Sequence, residues 1–207
     1  MDFFAQMNAI YATFFGTSPP ARACVAVNLP SPLRFQLDCI ACKEEAADDR
    51  QTIHVQGLSY WAPANIGPYS QTITVQRFLL STRGDLTISS LFQIDGRVFI
   101  SGQIGLIPSS LSLPSPRSLS LESALAFQHV KRLTDVLGSS TNGWKGCTQS
   151  TMYWLVDAND VMHVRMAHRQ YEKVLHIWLS HSSFQLMSIR ILFQPFFSSS
   201  QHYQRML

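Results

Sequence analysis

Apolar residues recur at helical spacing at the start of the chain. Phe3, Met7, Ile10 and Phe14 share one face with Tyr11 beside them, which predicts a helix stopped by Gly16. Ser18-Pro19-Pro20 then enforces an extended turn, because proline disfavours helical backbone in the residue before it. The period changes to two over residues 22–29, with Val25, Val27 and Leu29 on one face and Arg22, Cys24, Ala26 and Asn28 on the other. That alternation predicts a strand. Pro30-Ser31-Pro32 leads to a second predicted strand over 35–42, with Phe35, Leu37 and Cys39 opposite Gln36 and Asp38. Residues 43–53 are charged and polar and read as a linker.

Beyond the linker, residues 54–60 predict a short strand, and Gly67-Pro68-Tyr69-Ser70-Gln71 a structured loop. Residues 72–94 resist assignment and leave room for an insertion. Residues 97–106 predict a strong strand, in which Val98, Phe99 and Ile100 lead into Ser101-Gly102-Gln103-Ile104. A Ser/Pro/Leu loop over 109–116 precedes a helix over 120–137. Ala126, Val130, Leu133 and Leu137 line its apolar face, Glu122 suits its first turn, and Gly138 is its stop. After a loop over 139–146, residues 148–156 are rich in Thr, Tyr, Trp and Val and predict a strand. Asp157 or Asn159 can cap a last helix carrying Val161, Val164 and Tyr171. The first and last helices repeat: Asn8-Ala9-Ile10-Tyr11 resembles His168-Arg169-Gln170-Tyr171, with Phe4 matching Val164 and Met7 matching Ala167.

Composition narrows the classes. The 207 residues suffice for one domain or a compact pair. Only 14% are charged, against about a quarter in ordinary soluble domains. That deficit suits a chain that buries surface in subunit or domain contacts, or one with segments never selected to fold. The net charge of +3 comes from scattered basic residues, which argues against a nucleic-acid partner. Met1-Asp2-Phe3-Phe4 lacks a basic leader, so no secretory signal is expected. The apolar stretch over 174–197 is broken by residues such as His176, His181, Arg190 and Pro195, so no membrane span is expected. Four cysteines do not make a disulfide scaffold, and a cytoplasmic location is expected. Cys39 and Cys42 form a lone CxxC, whose side chains would point to opposite faces of a strand. No metal role is assigned to them, and none to the seven scattered histidines.

Gly67-Pro68-Tyr69-Ser70-Gln71 followed by Phe99-Ile100-Ser101-Gly102-Gln103-Ile104 resembles the GPYSQ loop and SGQI strand of the RidA-like (YjgF-type) superfamily. Pro20-Ala21-Arg22-Ala23-Cys24-Val25-Ala26-Val27 resembles its arginine strand, and Leu37-Asp38-Cys39-Ile40-Ala41 its last strand. Within the superfamily, Trp61-Ala62-Pro63-Ala64-Asn65-Ile66 before the loop, together with the paired copies, resembles the tandem RidA-like region of fungal diphthine–ammonia ligases. The implied fold is α+β, a chorismate-mutase-like mixed sheet with helices on one face, as one partial plus one incomplete copy. Residues 1–42 match the carboxy-terminal half of a first unit, 43–53 the linker, and 54–173 the amino-terminal two thirds of a second. Residues 174–207 lack the expected arginine strand. A truncated or misread reading frame is expected there, the alternative being a divergent but genuine tail, and the segment is expected to be atypical, poorly ordered or loosely packed.

The resemblance implies site residues. Arg22 matches an arginine that holds a substrate carboxylate, which a planar guanidinium can meet with two parallel hydrogen bonds. Tyr69 and Ser101 match cleft-lining positions, a stacking ring and a hydroxyl donor. The structural alternatives are a surface ion pair, a packed tyrosine and a strand-end serine. Gln36 stands where the family uses an acidic residue, and an amide cannot act as acid or base, although Asp38 lies two residues on. This departure argues against deaminase activity.

No phosphate-cradling Gly-rich loop is present, so no cofactor is expected in this chain; ATP belongs to the full-length ligase it resembles. The implied function is a RidA-like carboxy-terminal module for diphthamide biosynthesis on elongation factor 2, non-catalytic alone. Its expected partners are elongation factor 2 or the rest of the ligase, with a homo-oligomer as a further state. The alternative is a free-standing enamine/imine deaminase. RNA cleavage, a third class, lacks a basic stripe and an aromatic platform.

Overall fold

The computed structural model describes residues 3–40, 49–75, 78–79, 93–94, 97–140, 148, 150–178 and 188–193. Contacts group the chain into two units that interleave in sequence. Met1–Ala23, Leu37–Gln56 and Asn65–Gly102 form the first; Cys24–Gln36, Gly57–Ala64 and Gln103–Leu207 form the second. Neither unit is bounded by the 43–53 segment.

In the first unit, helix α1 covers Phe3–Phe15. Gly16 follows at φ +53°, a left-handed conformation that a side chain would strain. The prolines then carry the chain extended to Ala21, which makes a single parallel bridge to Ser70. Strands β1 (Arg50–Ile53), β2 (Thr72–Val75) and β5 (Arg97–Ile100) form an antiparallel sheet with β2 at its centre. Arg50 faces Val75 on one side, and Thr72 faces Ile100 on the other. All four β2 residues are buried, Ile73 and Val75 on one face and Thr72 and Thr74 on the other. β-Branched residues suit such a doubly covered strand. Two short strands, β3 (Phe78–Leu79) and β4 (Gln93–Ile94), pair antiparallel within the stretch that resisted assignment.

The second unit holds helix α2 (Leu119–Ser140), helix α3 (Val161–Trp178), and strands β6 (Ser150–Leu155) and β7 (Ser188–Phe193). β6 and β7 run parallel. The core draws Leu133 and Leu137 from α2, Val164 from α3, Leu155 from β6, and Leu106 and Ala62 from loops. Ser118 serves the start of α2, its carbonyl accepting from Glu122 N–H at 2.9 Å. Asp157 Oδ1 accepts from Asn159 N–H at 2.8 Å and caps the 3-10 turn Ala158–Asp160 that feeds α3.

Several expectations are corrected. Residues 22–29 and the described part of 35–42 form no strand. Alternation shows that a segment could face a core, but a strand also needs a neighbour for its N–H and C=O groups. Among the described residues these segments have no ladder, and Val27, Phe35 and Leu37 stand exposed, Phe35 at 56%. Part of the expected linker is β1, since Arg50–Ile53 pairs with β2. The strand expected over 54–60 is absent, and the one over 97–106 ends at Ile100. α2 continues through Gly138, because an interior glycine weakens a helix by only about 1 kcal/mol. Within the tail, α3 reaches Trp178 and Ser188–Phe193 pairs with β6. Cys42 and the remainder of the tail lie outside the described residues.

Candidate functional site

The first unit assembles a site around one guanidinium. Arg22 follows the Pro19-Pro20 turn, and its segment is pinned by main-chain bonds. Ser70 N–H donates to Pro20 O at 3.1 Å, and Gly102 N–H donates to Arg22 O at 3.1 Å. Ser70 Oγ donates to Pro19 O at 2.6 Å and is wholly buried. Ser101 N–H donates to Gln71 O at 2.9 Å. The arginine segment, the tyrosine loop and the SGQI segment are thereby held side by side.

The side chain of Arg22 leaves this clamp toward α1. Nη2 donates to Asn8 Oδ1 at 2.8 Å. The guanidinium carbon stands 4.6 Å from the Tyr11 ring centroid and 5.7 Å from that of Tyr69. Aromatic faces attract a cation most where water is excluded, by about 0.5–2 kcal/mol. Nη1 is buried with no hydrogen-bond partner among the described residues. A charged donor so left costs free energy that an anion would recover.

The tyrosine loop has its own frame. Buried Gln71 spans it: its Oε1 accepts from Val55 N–H at 2.8 Å, and its Nε2 donates to Val55 O at 3.2 Å and to Asn65 Oδ1. Asn65 Nδ2 in turn donates to Tyr69 O. Both phenols sit above the usual tyrosine range. At Tyr69 burial outweighs an Ile66 backbone hydrogen bond and the Arg22 charge, which pull the other way. At Tyr11 burial again leads, against Arg22. Both rings are therefore neutral near pH 7, and the site's charge is that of Arg22.

Of the residues expected at a site, Arg22 and Tyr69 come together, and Ser101 lies beside the Arg22 segment, 5% exposed. Gln36 belongs to the second unit and is exposed. Asp38, in the first unit, is exposed and in no strand. Sequence reasoning missed Asn8, Tyr11, Asn65 and Gln71 as site residues. Asn8 and Tyr11 had one signal, their recurrence in the helix repeat. Asn65 and Gln71 had none beyond membership of the loop motif.

The repeat partners behave differently in the second unit. His168 is buried, its Nδ1 bonded to Tyr153 Oη and its Nε2 lying 3.3 Å from Glu172 Oε1 without hydrogen-bond alignment. Tyr171 stacks on Phe127 at 4.6 Å between centroids and 21° between planes, and burial pushes its phenol up to about 12. Here an aromatic ring occupies a tyrosine face, where in the first unit a guanidinium does.

Among the described residues no helix is long and apolar enough to cross a membrane, and no group of three or more His, Cys, Asp or Glu could hold a metal ion.

No protein-family model matches the chain. Individual relatives do. The diphthine–ammonia ligase of Schizosaccharomyces pombe is 41% identical over 138 residues, 66% of this chain and 19% of that protein. The Saccharomyces cerevisiae ligase is 36% identical over 151 residues, 67% of this chain and 20% of that protein. The chain thus spans about a fifth of the length of these relatives. A RutC family protein of Pyrococcus horikoshii is 47% identical over 45 residues, 21% of this chain and 36% of that protein. Among solved structures, the E. coli YjgF gene product is similar at 19% identity and a TM-score of 0.39, over 69% of this chain and 85% of that one. The chain carries a RidA-like region related to the diphthine–ammonia ligases.

Proposed function

We propose that this chain is the RidA-like module of a diphthine–ammonia ligase, and that it serves diphthamide biosynthesis on elongation factor 2 by binding a carboxylate-bearing group at Arg22. The observation that carries the reading is the buried, unpartnered Nη1 of a guanidinium already braced by Asn8 and two tyrosine rings. Such a donor edge suits a planar anion, with the charge and the geometry fixed before the ligand arrives. The 41% identity to the fission-yeast ligase supports the assignment to that enzyme's chemistry.

The module binds rather than catalyses. Its nearest titratable phenols, Tyr11 and Tyr69, are held neutral by burial. ATP is used by another part of the ligase. The module works in the cytoplasm, with elongation factor 2 or the rest of the ligase as partner. Exposed Val27, Phe35 and Leu37 support assembly with such a partner or with further copies.

The test is a region swap. The segment of the S. pombe ligase that aligns with this chain is replaced by this chain's residues, and amidation of diphthine on elongation factor 2 is measured. Amidation that persists in the swap and falls in its Arg22→Ala form is expected. Loss of amidation in a swap that is expressed and folded would count against the reading. So would turnover of 2-aminoacrylate by the 207-residue chain alone that disappears with Arg22→Ala, which favours the deaminase alternative.

A further inference from the structure

We infer that Asn8 is a positioning residue, whose amide oxygen holds the Arg22 guanidinium over Tyr11 and so fixes the donors it can turn to an anion. This rests on the anion-binding reading of Arg22 and adds the element that aims it. Arginine has several rotatable bonds, and a free guanidinium would lose affinity to the cost of ordering it. Asn8 Oδ1 removes that freedom at one nitrogen with a 2.8 Å bond. Tyr11, one helical turn on and on the same face, supports the plane from below at 4.6 Å. Gly67 leaves the room, since a Cβ there would stand 3.0 Å from Nη2 and 3.6 Å from Asn8 Nδ2.

The helix repeat supplies an internal comparison. The positions matching Asn8 and Tyr11 in α3 are His168 and Tyr171. His168 is bonded to Tyr153, and Tyr171 carries the ring of Phe127. The matched positions contact a neighbouring side chain in both units, and at the first of them α1 carries an amide oxygen, Asn8, where α3 carries the His168 imidazole.

The experiment uses the 207-residue chain labelled with 15N-arginine, read by NMR of the guanidinium groups and by titration with sodium propionate. In the parent, slow rotation should give Arg22 resolved Nη signals, assigned by their loss in Arg22→Lys. Asn8→Leu should average those signals and weaken propionate binding about tenfold, the order expected for one hydrogen bond to a charged group. Asn8→Asp, which keeps an acceptor, should retain the resolved signals. If Asn8→Leu does not fold, Asn8→Ser, too short to reach, replaces it. Resolved signals and parental affinity in the folded Asn8→Leu or Asn8→Ser chain would overturn the inference. Signals that respond to Asn8 as expected in a chain that binds no propionate would uphold the positioning role and overturn the anion-binding reading instead.

Discussion

Gly67 turns a bare Cα toward Arg22, so close that a Cβ there would come within 3.0 Å of Nη2. The GPYSQ glycine thus makes space for a guanidinium contributed from 45 residues earlier in the chain, as well as shaping a turn. Gly67→Val should push the guanidinium off Tyr11 and lower propionate affinity several-fold. Because the displaced group is the end of a flexible side chain, the stability cost should stay near 1 kcal/mol. Titration and urea unfolding of the same variant check the two halves of this expectation.

A second glycine guards the fold rather than the site. A Cβ on Gly105 would meet Glu122 O at 2.3 Å and Glu122 Cα at 2.5 Å, both backbone atoms of α2. Neither can swing aside, so Gly105→Ala should destabilise the chain by about 3 kcal/mol. Urea denaturation followed by circular dichroism measures it.

Tyr153 and His168 predict a third outcome. Tyr153→Phe removes the partner of His168 Nδ1 and leaves a ring nitrogen buried with 2% of its residue exposed. The expected loss is about 1–3 kcal/mol, seen as a lower urea midpoint at an unchanged slope.

His129 gives the chain a pH-dependent component. It is fully buried, and its Nε2 meets Leu106 O at 2.8 Å. Burial lowers its pKa below the ordinary 6.5, outweighing the Leu106 contact. Below pH 6.5 the unfolded chain therefore binds a proton that the folded chain resists, so folding loses stability on acidification. The contribution is fully present above pH 6.5 and falls as the pH drops toward the folded value. His129→Gln should flatten that part of the profile between pH 7.5 and 5.5, measured as the difference in unfolding free energy between variant and parent.

The helices were legible because a 3.6-residue period survives whatever packs on it. Phe3 to Phe14 and Ala126 to Leu137 each declared a face, and both faces belong to helices. Strands were less legible because pairing lies outside the segment that pairs. Residues 22–29 alternate as cleanly as any, yet Val25 and Val27 stand exposed. Arg50–Ile53 looked like linker and pairs along its whole length with Thr72–Val75. At the site, Arg22 and Tyr69 could be named because they sit in recognisable motifs. Asn8 and Tyr11 could not be placed, since their role comes from where α1 lies against a segment beginning eleven residues after Tyr11. The amide frame of Gln71 and Asn65 is a matter of distances that no spacing announces.

The most direct measurement is a calorimetric titration of the 207-residue chain with sodium propionate, repeated on Arg22→Ala. The account predicts saturable binding in the parent that weakens at least tenfold in the variant while both remain folded. Equal affinity in the two proteins, or no saturable binding in the parent, would contradict it.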